Sequence, residues 1–249
     1  MIPKIIHYVW VGGEPVDKLS KSCIESWKYF FPDYKIIKWD ENNSPNNKYL
    51  KTALNNKKWS NASNFLRLYA LKEFGGLYFD TDFEVIKRFD FLNDIKIFFG
   101  FQSDKIDVNN AIMGSIKGEP FIIKCMNELE NTFDGMESAA LSSPILTTNL
   151  LIGLGLKENK RQVISNIHLF PRDFFSPFDW NDKFTFSCLT ENTYGIHHWS
   201  KSWLEEGAID KMLYYKHKLK DLKNGHFSLK QLINLNKQFI LRKVKSVTS

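Results

Sequence analysis

The chain has 249 residues, 43% of them hydrophobic and 15% aromatic, with a net charge of +6. That is enough apolar material for a substantial core, and it excludes a disordered chain. No apolar run approaches the ~20 residues that a bilayer span requires, a strand pattern follows Met1 at once in place of a leader, and Cys23, Cys125 and Cys188 stand singly, so a cytoplasmic protein with reduced thiols is expected.

In chain order the pattern predicts a strand over 4–11, a helix over 17–30, a strand over 34–39, a helix over 61–74, and strands over 77–80 and 96–101. Such alternation argues an α/β fold with helices packed around a mainly parallel sheet, whose ligands sit at the carboxyl ends of strands. Trp10 and Asp80 both fall at such ends. Residues 102–116 and 137–150, which mix Gly, Ser, Asn and Thr with apolar residues, read as loops and short helices framing a pocket. Asn110 is the candidate acceptor contact there, with Pro144 shaping the wall.

The 61–74 helix is expected to open on capping residues at Ser60-Asn61 and to stop at Gly75-Gly76. Asn64 and Arg67 lie three apart on one face of it and offer an amide and a guanidinium to one ligand. An arginine so placed suits a diphosphate, and equally a neighbouring carbonyl or carboxylate. Gly75-Gly76 then leads into Leu77-Tyr78-Phe79-Asp80-Thr81-Asp82. Two apart on extended backbone, Asp80 and Asp82 share a face and reach one divalent cation, with Mg²⁺ or Mn²⁺ the ions that carboxylates suit. An ordinary acidic turn after a strand has the same spelling, so the neighbouring motifs decide.

Trp10, before Gly12-Gly13, reads either as a stacking platform for a base or as core, and Tyr78, two before Asp80, reads either as pocket wall or as buried packing. His197 and His198 are adjacent, so in an extended segment only one of them faces a given metal. Zinc is not expected, because no cysteines are closely paired. Residues 211–249 hold 10 Lys or Arg and 1 Asp, a balance of +9, which leaves −3 for residues 1–210. Leu229, Leu232, Ile233, Leu235 and Phe239 interleave there with Lys230, Lys237 and Arg242, a pattern compatible with a basic amphipathic helix on an anionic membrane face. A nucleic-acid partner is not expected, since the run lacks a recognised motif.

Ala-Ser-Asn-Phe-Leu-Arg at 62–67 followed by Gly-Gly-Leu-Tyr-Phe-Asp-Thr-Asp at 75–82 resembles the central motif of glycosyltransferase family 32. Ile2 to Gly13, Ser26-Trp27, Pro32-Asp33-Tyr34, Trp39-Asp40, Asn109 to Gly114, Pro120-Phe121 and His197-His198-Trp199-Ser200-Lys201-Ser202-Trp203 agree in the same order, so the resemblance covers roughly residues 1–205. It implies a GT-A type nucleotide-binding domain over 1–205, with 206–249 as a basic helical appendage. It further implies a retaining, metal-dependent transferase moving a hexose from a nucleoside diphosphate sugar, UDP favoured, to a saccharide acceptor in capsule or O-antigen synthesis. A lipid-linked acceptor would place the enzyme at the inner face of the cell membrane.

Carried over residue by residue, the resemblance makes Asp80, Asp82 and His198 the ligands of Mn²⁺ or Mg²⁺, with Asp80, Asp82 and Arg67 as the catalytic set. Val9, Trp10, Asn64, Arg67, Tyr78, Asp80, Ser202 and Trp203 bind the donor, and Asn110 the acceptor. The family usually carries Asp where this chain has Asn64, which motivates an alternative: a sugar-nucleotide-binding protein without transferase activity. A phosphohydrolase of the haloacid dehalogenase type also places Asp-x-Asp after an apolar strand, but its motif closes the first strand of its domain.

Overall fold

The computed structural model describes residues 1–200. Seven strands form one sheet in the order β2-β1-β3-β6-β5-β8-β7. These are β1 (Ile5–Val9), β2 (Lys35–Trp39), β3 (Gly76–Phe79), β5 (Ile97–Phe101), β6 (Val108–Ser115), β7 (Gln162–Ile164) and β8 (Ile167–Phe170), while β4 (Phe83–Val85) pairs with β9 (Gly195–His197) in a separate two-stranded ribbon. Five of the seven strands run the same way; β6 and β7 reverse, pairing antiparallel with their neighbours. The expected α/β fold with a mainly parallel sheet flanked by helices is therefore present.

Side chains alternate between the two faces with the period of a strand. Tyr78, Ile97, Phe99, Phe101 and Met113 face one core layer, which α2 (Lys48–Asn55), α3 (Trp59–Phe74), α4 (Pro120–Thr132) and α5 (Leu146–Gly153) cover. Leu77, Phe79, Phe98 and Ile112 face the other, together with α1 (Lys18–Phe30) and an aromatic cluster of Phe83, Phe89, Phe91, Phe170 and Phe175. Each large side chain buried this way contributes about 1.5–3 kcal/mol.

Helix α3 starts at Trp59, two residues before the expected start, and its N-cap Lys58 makes no side-chain cap bond. Asn61 is thus interior to the helix, and its amide serves the 137 loop instead, donating to the Glu137 backbone and side chain. Gly75 and Gly76 end the helix at φ +64° and +110°, and a Cβ on Gly76 would stand 2.6 Å from the Ile5 carbonyl. Only glycine permits both the turn and this close approach of β3 to β1. Residues 108–115 form a wholly buried central strand where a loop was expected. The polar Asn pair hid it, because both amides find partners inside the fold.

His7 ties three elements together. Trp39 donates its indole N–H to His7 Nδ1 at 3.1 Å, so Nε2 carries the proton and donates to the Gly75 carbonyl at 2.9 Å. Burial lowers the His7 pKa from 6.5 to about 4, against a smaller opposing effect of the Gly75 carbonyl. The unfolded chain therefore binds a proton that the folded chain refuses. His7's contribution is complete above pH 6.5 and is lost as pH falls toward 4, up to about 3 kcal/mol. Chemical denaturation across that window is expected to show a slope one proton steeper for the wild type than for His7→Gln; equal slopes would refute the assignment.

Candidate active site

Strands β1 and β3 lie side by side with Ile6 opposite Leu77 and His7 opposite Tyr78. Continuing that register brings Val9 beside Asp80 at the carboxyl edge of the sheet. Val9 points its side chain into the core, so a side-chain contact from it to a donor is not what the fold provides. Trp10 is half-exposed, its indole N–H donating to the Glu14 carbonyl at 2.6 Å across the glycine turn. The Gly12 N–H donates to Glu41 at 2.6 Å, and the exposed ring of Trp59 lies 3.0 Å from where a Gly12 Cβ would stand. A Cβ there would press on the Trp59 ring, and Gly12 also holds φ +95°, a conformation that favours glycine.

The Asp pair converges by a route other than the expected one. Asp80 has already left β3, Thr81 and Asp82 form a turn, and the Phe83 N–H donates to the Asp80 carbonyl at 2.9 Å. The two carboxylates therefore face each other because the backbone turns, and strand periodicity plays no part.

Around Asp80 the hydrogen bonds close into a ring. Arg67 donates from Nη2 to Asp80 at 3.1 Å and to the Ser63 hydroxyl at 3.2 Å. Tyr78 donates to the same Asp80 oxygen at 2.7 Å, which leaves the Ser63 hydroxyl to donate to the Tyr78 oxygen at 2.9 Å. Arg67 also donates to the Asn110 carbonyl at 2.8 Å, and its guanidinium lies 4.8 Å from the Tyr78 ring centre. Burial opposes the charge on Arg67, but Asp80, Tyr78 and Asp82 outweigh it and raise its pKa. Burial likewise raises the pKa of the Tyr78 phenol. Tyr78, 1% exposed, and Arg67, 7% exposed, hold Asp80 in place, as in the packing and pairing alternatives that the sequence leaves open for them.

Asp82 is enclosed from the other side. His197 Nε2 lies 3.4 Å from one carboxylate oxygen and the Ser200 N–H donates to the other at 2.8 Å. Burial would raise the Asp82 pKa, yet His197 and the Ser200 N–H prevail and hold it well below the usual carboxylate range. Asn109 reaches His197 Nδ1 at 3.3 Å and donates to the Ser176 hydroxyl at 2.6 Å. Ligand atoms of Asp80, Asp82 and His197 all lie within 4.8 Å of one another. His198, expected as the metal ligand, turns away to Glu84 at 2.9 Å. The adjacent imidazoles do point to opposite sides, and it is His197 that faces the aspartates.

Asn64 and Asn110 both give their amide hydrogens to the segment 139–147. Asn64 donates to the Ala139 carbonyl at 2.9 Å and the Ser142 hydroxyl at 3.1 Å. Asn110 donates to the Ser143 and Thr147 hydroxyls at 2.7 and 2.8 Å, leaving its buried Oδ1 without a partner among the described residues. A carboxylate at position 64 would have no hydrogen for Ala139, which gives the departure to Asn64 a structural reason. Ser202, Trp203 and the 206–249 appendage lie outside the described residues. Asn109, Ser63 and Glu84 escaped the sequence reading. Taking 108–115 as a strand would have placed Asn109 opposite Asn110, on the His197 side.

Asp80 follows directly on β3 and not on the first strand, which removes the phosphohydrolase alternative. The sequence matches the family model described as glycosyltransferase sugar-binding region containing DXD motif over residues 17–98, and the alpha 1,4-glycosyltransferase conserved region over 115–217. Inositol phosphoceramide mannosyltransferase 2 of Schizosaccharomyces pombe is 26% identical, over 66% of this chain and 48% of its own length. Mannosyl phosphorylinositol ceramide synthase SUR1 of Saccharomyces cerevisiae is 27% identical, over 53% of this chain and 35% of its own. The chain thus spans about half or less of these curated relatives. The solved structure of PaToxG glycosyltransferase superposes with a TM-score of 0.52 at 21% identity, over 61% of this chain and 69% of that one, a likeness of fold. With its Asp-Thr-Asp turn, its mainly parallel α/β sheet and two matched regions that together run from α1 past β9, the chain is similar to the DXD-containing glycosyltransferases of the family 32 type.

Proposed function

We propose that this chain transfers a hexose, with retention, from a nucleoside diphosphate sugar to a saccharide hydroxyl, using a divalent cation held by Asp80, Asp82 and His197. The observation that carries this reading is the convergence of those three side chains at the carboxyl edge of β1 and β3. Two carboxylates and one imidazole, with no thiolate, form a donor set suited to Mn²⁺ or Mg²⁺. When bound, such an ion neutralises the charge that develops on a departing diphosphate. Asp80 is the more exposed aspartate, its side chain 27% accessible, so it faces an incoming ligand while Arg67 and Tyr78 fix its orientation. Trp10 offers a flat face for a base at the same edge, and uridine is the favoured one.

The site carboxylates are engaged: Asp80 by Arg67 and Tyr78, Asp82 by His197 and Ser200, Glu84 by His198. None is aimed as a free nucleophile, which supports a front-face displacement over a covalent glycosyl intermediate. Asn110 Oδ1, a buried acceptor beside the Arg67 contact, suits a sugar hydroxyl. The relatives named for mannosyl transfer put mannose among the hexoses to test, and their names support a lipid-linked acceptor for this chain. Capsule or O-antigen assembly, with the basic 211–249 segment on the membrane, fits such an acceptor. Among the described residues no helix is long and apolar enough to cross a membrane.

Thermal shift with UDP and with GDP, each with Mn²⁺ and with chelator, tests the reading. One nucleotide at a hundred times its Kd is expected to stabilise by about 2.7 kcal/mol, and only with the ion. Stabilisation that persists in chelator, or none at all, would overturn it. Cation-dependent binding with no transfer from any nucleoside diphosphate hexose would favour a sugar-nucleotide-binding protein.

A further inference from the structure

Residues 195–200 wrap Asp82, with the His197 imidazole toward its carboxylate and the His198 imidazole turned to Glu84. The Phe83–Val85 strand pairs with Gly195–His197 so that Phe83 stands opposite His197 and Glu84 opposite Ile196. The His198 N–H then donates to the Asp82 carbonyl at 3.0 Å, and Trp199, at φ +52°, folds the chain back so that the Ser200 N–H meets the Asp82 carboxylate. A bulky residue in the left-handed region is strained and persists only where its surroundings hold it. Two contacts hold this one, the Trp199 indole N–H to the Phe178 carbonyl at 3.0 Å and its ring 4.0 Å from that of His197, and the preceding His198 is itself held by Glu84 at 2.9 Å.

A two-residue period has a consequence for two consecutive histidines. A slip of one residue would exchange which of them faces the aspartates. His198 is buried against Glu84, whose side chain is 2% exposed, and that contact opposes the slip. We propose that Glu84 is a positioning residue for the cation site: by anchoring His198 behind the ribbon it makes His197 the imidazole presented to Asp80 and Asp82. This rests on the cation site proposed above.

Titrating Mn²⁺ into the full-length protein and reading the free ion by electron paramagnetic resonance requires no donor, acceptor or turnover. Wild-type binding tests the site itself; failure there overturns the site, whereas the comparison of variants concerns Glu84. Glu84→Leu is expected to weaken Mn²⁺ binding about tenfold to a hundredfold, the range for partners that orient a metal-ligating histidine. Glu84→Gln, which keeps an acceptor for His198, is expected to restore most of it. In a His197→Ala background, Glu84→Leu is expected to cost less than threefold more, because its effect runs through His197 (~0.6 kcal/mol of residual effect). Where Glu84→Leu fails to fold, His198→Gln takes its place: its amide still donates to Glu84, so it is expected to bind Mn²⁺ nearly as the wild type does. Equal affinity of wild type and Glu84→Leu, full additivity with His197→Ala, or a loss in His198→Gln as large as in His197→Ala would each overturn the inference.

Discussion

Asp82→Asn is expected to lower sugar transfer about a hundred- to a thousandfold, the scale of losing one preorganised charge aimed at a developing one. It is also expected to abolish the cation-dependent rise in Tm with nucleotide. Asp82 carries this weight because its charge is secured before any ligand arrives: His197 and the Ser200 N–H hold it ionised although it is 8% exposed. The amide keeps the shape and one acceptor for Ser200, so the fold is expected to survive and the loss to appear in turnover. Release of nucleoside diphosphate from a donor sugar measures it. A loss of less than about tenfold would remove Asp82 from the chemistry.

Arg67→Ala is expected to cost stability before it costs chemistry. The side chain is 8% exposed and donates to Asp80, Ser63 and the Asn110 carbonyl, so its removal leaves Asp80 uncompensated on that side and several acceptors unpaired. Breaking a buried pair in this way costs about 3–5 kcal/mol. For a chain of this size that lowers Tm by about 6–20 °C. Calorimetry in chelator, where no ligand contributes, separates this from a donor-binding role. A cost under about 1 kcal/mol, the value of an exposed pair, would mean that Arg67 serves the ligand alone.

The alternation of strands and helices, the termination of α3 at Gly75-Gly76 and the apolar run into Asp80 were legible in the sequence, because each depends on residues near in the chain. The same locality explains the readings that failed. Ser60-Asn61 has the composition of a helix cap, but Asn61 finds Glu137 across 76 residues, and the helix begins earlier. Asn109-Asn110 has the composition of a loop, yet Ser176, Ser143 and Thr147 take the hydrogens of both amides and let the strand run through the middle of the sheet. Tyr78 and Arg67 were recognised as neighbours of Asp80, while the direction of their donors, inward to Asp80 and Ser63, depends on how α3 lies over β3.

By itself the sequence determined the fold class, the family resemblance and the presence of two aspartates with a histidine pair far downstream. Tertiary structure alone decided that the aspartates meet through a turn, that His197 and not His198 joins them, and that Asn64 is held by the 139–142 segment. The reason is distance along the chain. Periodicity says that adjacent histidines face apart, but which one faces the site depends on the register of β9 against β4, 110 to 114 residues away in sequence, and on a buried carboxylate waiting behind it.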